Sequence, residues 1–442
     1  MMSGETKYIT YHDIMLPTTE VYALKALEQC IKDAAAPEDK RRGAILKRNL
    51  SLDDGNIGFY VENNAVVALS LRYCALATLP TSLVQFTHLQ QLDLTGNRLT
   101  TLSASVGNLS HLKKLSVDEN QLSSLPASLG NLTHLEELHA DANQLTAFPT
   151  SICQLTDLKT LRLYGNKLTS LPIDISQLTL LEDLSIGKNQ LASLPESLWQ
   201  LTNLQSLNLA ENRLFALSEN IGNLTRLHTL DLGHNQLTAL PDSLGNLTNL
   251  TFFLYLSNNR LTALPESLFE RMSNLMYLNV TDNQLATLPA TIGHLTNLKE
   301  LRLYNNRLSS LPGSLGHLTQ LKELHVMNNT LTSLPDSIGN LQHLKELRLS
   351  NNQLAALPAS LGNLAHLTHL DVRNNRLISL PESLGKLSSL TYLDLRANRL
   401  VTLPASIEDL DKLEKLDLRW NKLSSSAGRV QGLEQQGCTV LR

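Results

Sequence analysis

Residues 132–154 read LTHLEELHADANQLTAFPTSICQ, and this 23-residue phrase returns, reworded, along most of the 442-residue chain. Its asparagine, Asn143, has counterparts at Asn97, Asn120, Asn166, Asn189, Asn212 and Asn235, all at steps of 23. Two steps of 24 follow, to Asn259 and Asn283. The strict period then resumes through Asn306, Asn329, Asn352, Asn375, Asn398 and Asn421. One step before Asn97 stands Cys74, which makes sixteen repeats. A period of this length describes supersecondary units stacked into an array, so length alone does not count the domains.

Each part of the phrase has a physical task. The alternation L-x-L predicts a short strand with leucines inward and the intervening residues outward. The asparagine, with donors and an acceptor, is suited to satisfying backbone groups that would otherwise be buried unpaired in the turn. A thiol at Cys74 does this only weakly. Proline follows six residues later in thirteen of the sixteen repeats, where it fixes φ and gives up a donor; Ser103, Ser218 and Ala427 are the exceptions.

The pattern LxxLxLxxNxL over residues 66–423 resembles the leucine-rich repeat. The second half, LPxSLGNLTxL, is similar to the intracellular Ras-suppressor and Scribble type and to bacterial relatives, and unlike the longer ribonuclease-inhibitor type. The resemblance implies an α/β repeat solenoid: a leucine-rich-repeat horseshoe with a parallel sheet on its concave face and short 3-10 or extended convex segments. It also implies a concave face that grips another protein, in the Ras-suppressor type a small GTPase, a phosphatase or a scaffold component.

A stack exposes its core at both ends and needs caps. In PTTEVYALKALEQCIKDAAAP (17–37), Thr18 or Thr19 is expected to cap a helix with Val21, Leu24, Leu27 and Ile31 on one face. IGFYVENNAVVALSL (57–71) reads as a hairpin turning at Glu62-Asn63-Asn64. At the other end, GRVQGLEQQGCTVLR predicts a short helix and a closing strand, Cys438–Leu441. The expected organisation is a cap over 1–65, repeats over 66–423 and a second cap over 424–442.

Bulk properties narrow the function. A net charge of −4 provides no basic face for nucleic acid. No run of 18 apolar residues predicts a membrane span. The opening MMSGETKYITYHD is polar, unlike a secretory signal. Four dispersed cysteines, Cys30, Cys74, Cys153 and Cys438, suit a reducing compartment. The triplets at Asn108, Asn131, Asn223 and Asn246 are by-products of the recurring GNLT. These features together predict a cytoplasmic protein.

Because leucine, asparagine and proline are structural, function is expected at the variable positions. The sixth, fourth, second and first residues before each ladder asparagine face the sheet surface. They hold six of the ten tyrosines: Tyr73, Tyr164, Tyr255, Tyr277, Tyr304 and Tyr392. Strand preference accounts for part of this enrichment. Clustering goes further. Phe253, Tyr255, Tyr277 and Tyr304, with Arg302, His325, Met327 and Arg348, predict an aromatic–arginine patch of the kind that anchors protein partners. The two extra residues flank it. One, in NLTNLTFFLYLSNNRL (246–261), is expected to displace Phe252 and Phe253 from the leucine register. The other, in LFERMSNL (268–275), is expected to lengthen the outer face.

Asp371, Asp394 and Asp417 stand beside Arg373, Arg396 and Arg419, and Glu300, Glu323 and Glu346 form a second acidic column. Both are expected to be solvated ion-pair lattices, each pair contributing about 0–1 kcal/mol. Trp420 is expected to close the sheet face at its C-terminal end. His88, His111 and His134, like His343 and His366, share a repeat position with no carboxylate or cysteine to complete a metal site. HLEELH (134–139) lacks HExxH spacing. No metal and no cofactor are expected, and no GxSxG, GxxxxGK[ST] or GxGxxG appears. The reading is a non-enzymatic, monomeric protein-binding scaffold, with signalling regulation as its expected setting and partner contacts at Phe253, Tyr255, Tyr277, Arg302, Tyr304, His325 and Arg348. The alternatives are a host-directed secreted effector and a self-assembling structural repeat.

Overall fold

The computed structural model describes residues 7–35, 46–48, 57–424 and 427–442. The chain forms two compact units, 1–213 and 214–442. Both are solenoids of the expected kind, with a short parallel strand per coil on one side and, in every coil but the last, a 3-10 turn opposite.

The first unit opens with an element the sequence did not announce. Strands β1 (Tyr8–Tyr11) and β2 (Ile14–Pro17) pair antiparallel around His12 and Asp13, both left-handed with φ of 48° and 63°. Helix α1 (Thr18–Ala34) follows and buries Val21, Leu24, Leu27 and Ile31, the expected face. The expected threonine cap is absent. Pro17 occupies the N-cap position, Thr18 is already the first helical residue, and its hydroxyl donates to the Lys7 carbonyl at 2.8 Å. After β3 (Lys47–Arg48), strands β4 (Gly58–Glu62) and β5 (Ala65–Ser70) form the predicted hairpin. Asn63 and Asn64 take φ of 48° and 61°, as a tight hairpin turn requires. Strand β5 then pairs parallel with Gln91–Asp93 and starts the ladder, leucine on leucine: Leu69, Leu92, Leu115, Leu138, Leu161, Leu184 and Leu207.

Glu20 of α1 is 1% exposed and accepts the Val66 amide at 2.9 Å. Burial pushes its carboxyl up to about 7, and the Val66 bond opposes this only in part. A carboxyl whose folded value exceeds its ordinary 4.5 binds its proton more tightly in the folded state. Its contribution is therefore complete below that ordinary value and is lost as pH rises through about 7. Glu20→Gln should stabilise this cap by about 2 kcal/mol at about pH 8 and hardly at all at about pH 4. Hydrogen exchange of the α1 amides measures it; a gain equal at both pH values would refute the burial argument.

The second unit continues the pattern from Thr229–Asp231 to Lys415–Asp417, and strand Thr439–Leu441 pairs last, parallel to Lys415–Asp417. Helix α2 (Ala427–Gln435) precedes that strand, with Val430 and Leu433 buried. The closing strand begins one residue later than expected, since the Cys438 amide is still bonded to the Leu433 carbonyl at the helix end.

In both units the inward leucines are almost wholly buried, and each ladder asparagine works as its chemistry suggested. Asn97 accepts the Leu76 amide at 3.0 Å and donates to the carbonyls of Leu71 and Leu94 at 2.8 and 2.7 Å, tying its own turn to the coil before. The residue just before the asparagine is left-handed in coil after coil, as at Glu119, Ala142, Lys188 and Asn305. The outer prolines sit at the N-caps of the 3-10 turns. Where serine replaces proline, at Ser103 and Ser218, its side-chain oxygen accepts the amide two residues on, at 3.3 and 3.1 Å.

A candidate partner-binding surface

In the second unit, strands Phe253–Tyr255, Tyr277–Asn279, Glu300–Arg302, Glu323–His325 and Glu346–Arg348 lie side by side. Their outward residues form two columns. One reads Phe253, Tyr277, Glu300, Glu323, Glu346; the other reads Tyr255, Asn279, Arg302, His325, Arg348.

Four of the seven expected contact residues come together tightly. Phe253 stacks on Tyr255 at 5.5 Å between centroids and meets Tyr277 edge-on at 5.7 Å, while Tyr255 and Tyr277 are 5.2 Å apart. The Arg302 guanidinium lies 5.5 Å from the Tyr277 ring centroid. Burial raises both tyrosine hydroxyls above their ordinary range, Tyr277 to about 12, so both are neutral donors at physiological pH. Phe253 remains 40% exposed.

The extra residue at 251–253 is absorbed before the strand. Phe253 keeps register with Thr229 and Tyr277, and Leu254 with Leu230 and Leu278, so Phe253 is not displaced as expected. Phe252 bulges: its amide reaches the His228 carbonyl at 3.3 Å, and the Met276 amide bonds to Thr251 instead of to Phe252. The bulge leaves Phe252 48% exposed and 6.4 Å from Phe253, which adds a ring to the patch. The two adjacent phenylalanines across a 24-residue step were the available signal.

The other three expected residues behave differently. Tyr304 is half-buried but makes none of these ring contacts. Arg348 is exposed and bound to Glu346 at 2.7 Å. His325 is only 6% exposed, too deep for a contact residue, because its shorter side chain lies down between Arg302 and Arg348. Burial, together with those two guanidiniums, lowers its pKa and keeps it neutral. Its Nε2 faces Glu323 at 3.5 Å and Glu346 at 3.8 Å without a hydrogen bond. Glu300, Glu323 and His325 each offer a ligand atom within 4.8 Å of the others, a grouping the sequence reading did not make.

The aspartate–arginine columns are not the solvated lattice expected. Asp394 and Asp417 are 0% and 2% exposed, and Arg396 bridges them at 2.5 and 3.3 Å. Flanking strands leave the short aspartates beneath a layer of guanidiniums, and the Arg419 bonds hold Asp417 below its usual range against its desolvation. Trp420 closes nothing: it occupies the left-handed turn position, φ 61°, is 71% exposed, and lies under Arg419 at 5.6 Å. Among the stacked histidines, Asp157 does share the column, 3.3 Å from His134.

Family models described as leucine-rich repeat region match residues 67–162 and 267–361, and models described as leucine rich repeat match 156–214, 365–423 and 226–247. A leucine-rich repeat protein of Leptospira interrogans is similar in structure, with 36% identity over 90% of this chain and 100% of that one, TM-score 0.77. A TDR receptor is 30% identical over 80% of this chain and 68% of its own, TM-score 0.66. The plant peptide hormone receptor RGFR1 in complex with RGF2 is 28% identical over 82% and 72%, TM-score 0.61. Comparison with curated proteins finds no match.

Proposed function

The chain belongs to the leucine-rich repeat family, and on that premise we propose that it is a non-enzymatic scaffold holding a folded protein on the patch of Phe252, Phe253, Tyr255, Tyr277 and Arg302. One observation carries this reading. Three rings already packed against one another, one beneath a guanidinium, are presented at a sheet surface that has no fold-internal use for them. Such rings bind at small entropic cost because their rotamers are set beforehand. The similar receptor solved in complex with RGF2 supports the use of a repeat array as a binding platform. The reading extends to a monomer working in the cytoplasm, a reducing setting that suits four free cysteines, three of them buried.

The test is affinity capture from native lysate with wild type and with Phe253→Ala/Tyr255→Ala/Tyr277→Ala, read by mass spectrometry. The partner should be lost by the folded variant, and Tyr255→Ala or Tyr277→Ala alone should each weaken it by at least about 2 kcal/mol. Identical captures would leave the rings as strand chemistry and sink the proposal.

A further inference from the structure

Beside the aromatic patch, three consecutive coils read KELRL, KELHV and KELRL. In the two outer coils the arginine takes the glutamate of its own strand: Arg302 bonds to Glu300, and Arg348 to Glu346 at 2.7 Å. In the central coil the arginine position is His325, so Glu323 has no arginine of its own strand. Neighbouring parallel strands are spaced about 4.8 Å apart, which brings three carboxylates to one imidazole edge. That edge is a buried Nε2 with no hydrogen-bond partner, on a side chain only 8% exposed. A buried polar nitrogen left unpaired is costly, and one that faces carboxylates without bonding to them is spaced for something between.

We propose that Glu300, Glu323 and His325 Nε2 form a binding site for a divalent transition cation of the zinc class, with Glu346 near enough to add a fourth ligand. The ligand atoms of the first three lie within 4.8 Å of one another, and Nε2 is 3.8 Å from Glu346 Oε2. Zinc takes nitrogen at about 2.0–2.1 Å and carboxylate oxygen at about 2.0–2.2 Å, so small glutamate rotations bring the ligands into range. The imidazole selects against calcium and magnesium, which prefer all-oxygen shells. The cation supplies Nε2 with the partner it lacks and neutralises Glu323.

The same chain contains a control. Glu137-Leu138-His139 repeats the Glu-Leu-His triplet, and His139 Nε2 is likewise buried and unpaired, 3.5 Å from Glu137. There the neighbouring strands contribute Lys114, which takes Glu137 at 2.7 Å, and Thr160, where the proposed site has Glu300 and Glu346. One imidazole and a single carboxylate do not make a cation site.

The site does not depend on the partner reading, and its test needs no partner. The full chain, stripped with chelator, is titrated with Zn²⁺ by calorimetry and with Co²⁺ by visible absorption. One equivalent should bind, with cobalt bands of a nitrogen–oxygen ligand set. Glu323→Gln and His325→Ala should each weaken it at least tenfold, while His139→Ala should leave it unchanged. Glu323→Gln keeps the imidazole packing, so a loss there with unchanged circular dichroism is not a folding effect. Failure of wild type to bind, or binding that survives Glu323→Gln, would overturn the site.

Discussion

Asn352→Ala should lower the local stability of its coils by about 3–5 kcal/mol, while Asn351→Ala, one residue earlier, should cost about 1 kcal/mol. The contrast follows from where the two amides point. Asn352 is 8% exposed; its Oδ1 accepts the Leu331 amide at 3.0 Å, and its Nδ2 donates to the carbonyls of Val326 and Leu349 at 2.9 and 3.0 Å. Alanine leaves the buried Leu331 amide without its partner, at about 1–3 kcal/mol, and removes one bond of about 1 kcal/mol at each carbonyl, where Val326 keeps Asn329 at 3.2 Å and Leu349 keeps Asn375 at 3.0 Å. Asn351 belongs to an outer ladder, bonded to Asn328 and Asn374 at 2.6 Å, and its side chain is exposed, so water replaces what alanine removes. Its left-handed backbone, φ 57°, is one that alanine already adopts at Ala142 and Ala397. Global unfolding of a repeat array need not be two-state. Hydrogen exchange at the Leu331 amide is therefore the appropriate measurement, and equal effects of the two substitutions would refute the argument.

Phe269→Ala should destabilise the second unit by about 3–5 kcal/mol. In many coils the corresponding residue is glycine because neighbouring coils leave no room: a Cβ on Gly245 would stand 2.4 Å from the Ser267 carbonyl oxygen. Phe269 fills that slot and is fully buried. Trp199 fills the same slot, 2% exposed, in a coil of 23 residues; at Phe269 the chain also has its second extra residue. The 3-10 turn there is one residue short, Glu266–Phe269, Glu270 continues in helical conformation, and Met272 is buried where other coils use leucine. Truncating the ring leaves a cavity that the lengthened turn cannot close. Deleting Glu270 as well should recover part of the loss in Phe269→Gly by restoring the 23-residue coil. Hydrogen exchange at the strand amides of the flanking coils in the three variants decides it, and a Phe269→Ala variant within about 1 kcal/mol of wild type would refute the packing account.

That case also shows where reading by pattern stops. The two 24-residue steps are plain in the sequence, but each extra residue has a different physical role. At Phe252 it is a strand bulge that exposes a ring, and after Phe269 it lengthens the outer turn beside a buried one. Both stretches are aromatic next to an over-long step, so composition does not separate them. The choice depends on whether the extra residue falls on the strand side, where the ladder holds its neighbours in register, or on the looser outer turn.

The sequence by itself determined the solenoid, the leucine register, the asparagine ladder and the residues that form the sheet columns. These follow from local periodicity: each coil repeats the same contacts, so one correctly read phrase sets them all. Tertiary structure alone decided depth. It put Asp394, Asp417 and His325 below the surface and Trp420 above it, and it packed Phe253, Tyr255 and Tyr277 into one cluster while leaving Tyr304 outside. A column assignment says which way a side chain leaves the strand. How far it emerges depends on its length against the longer side chains on the strands either side, which a single repeat does not contain.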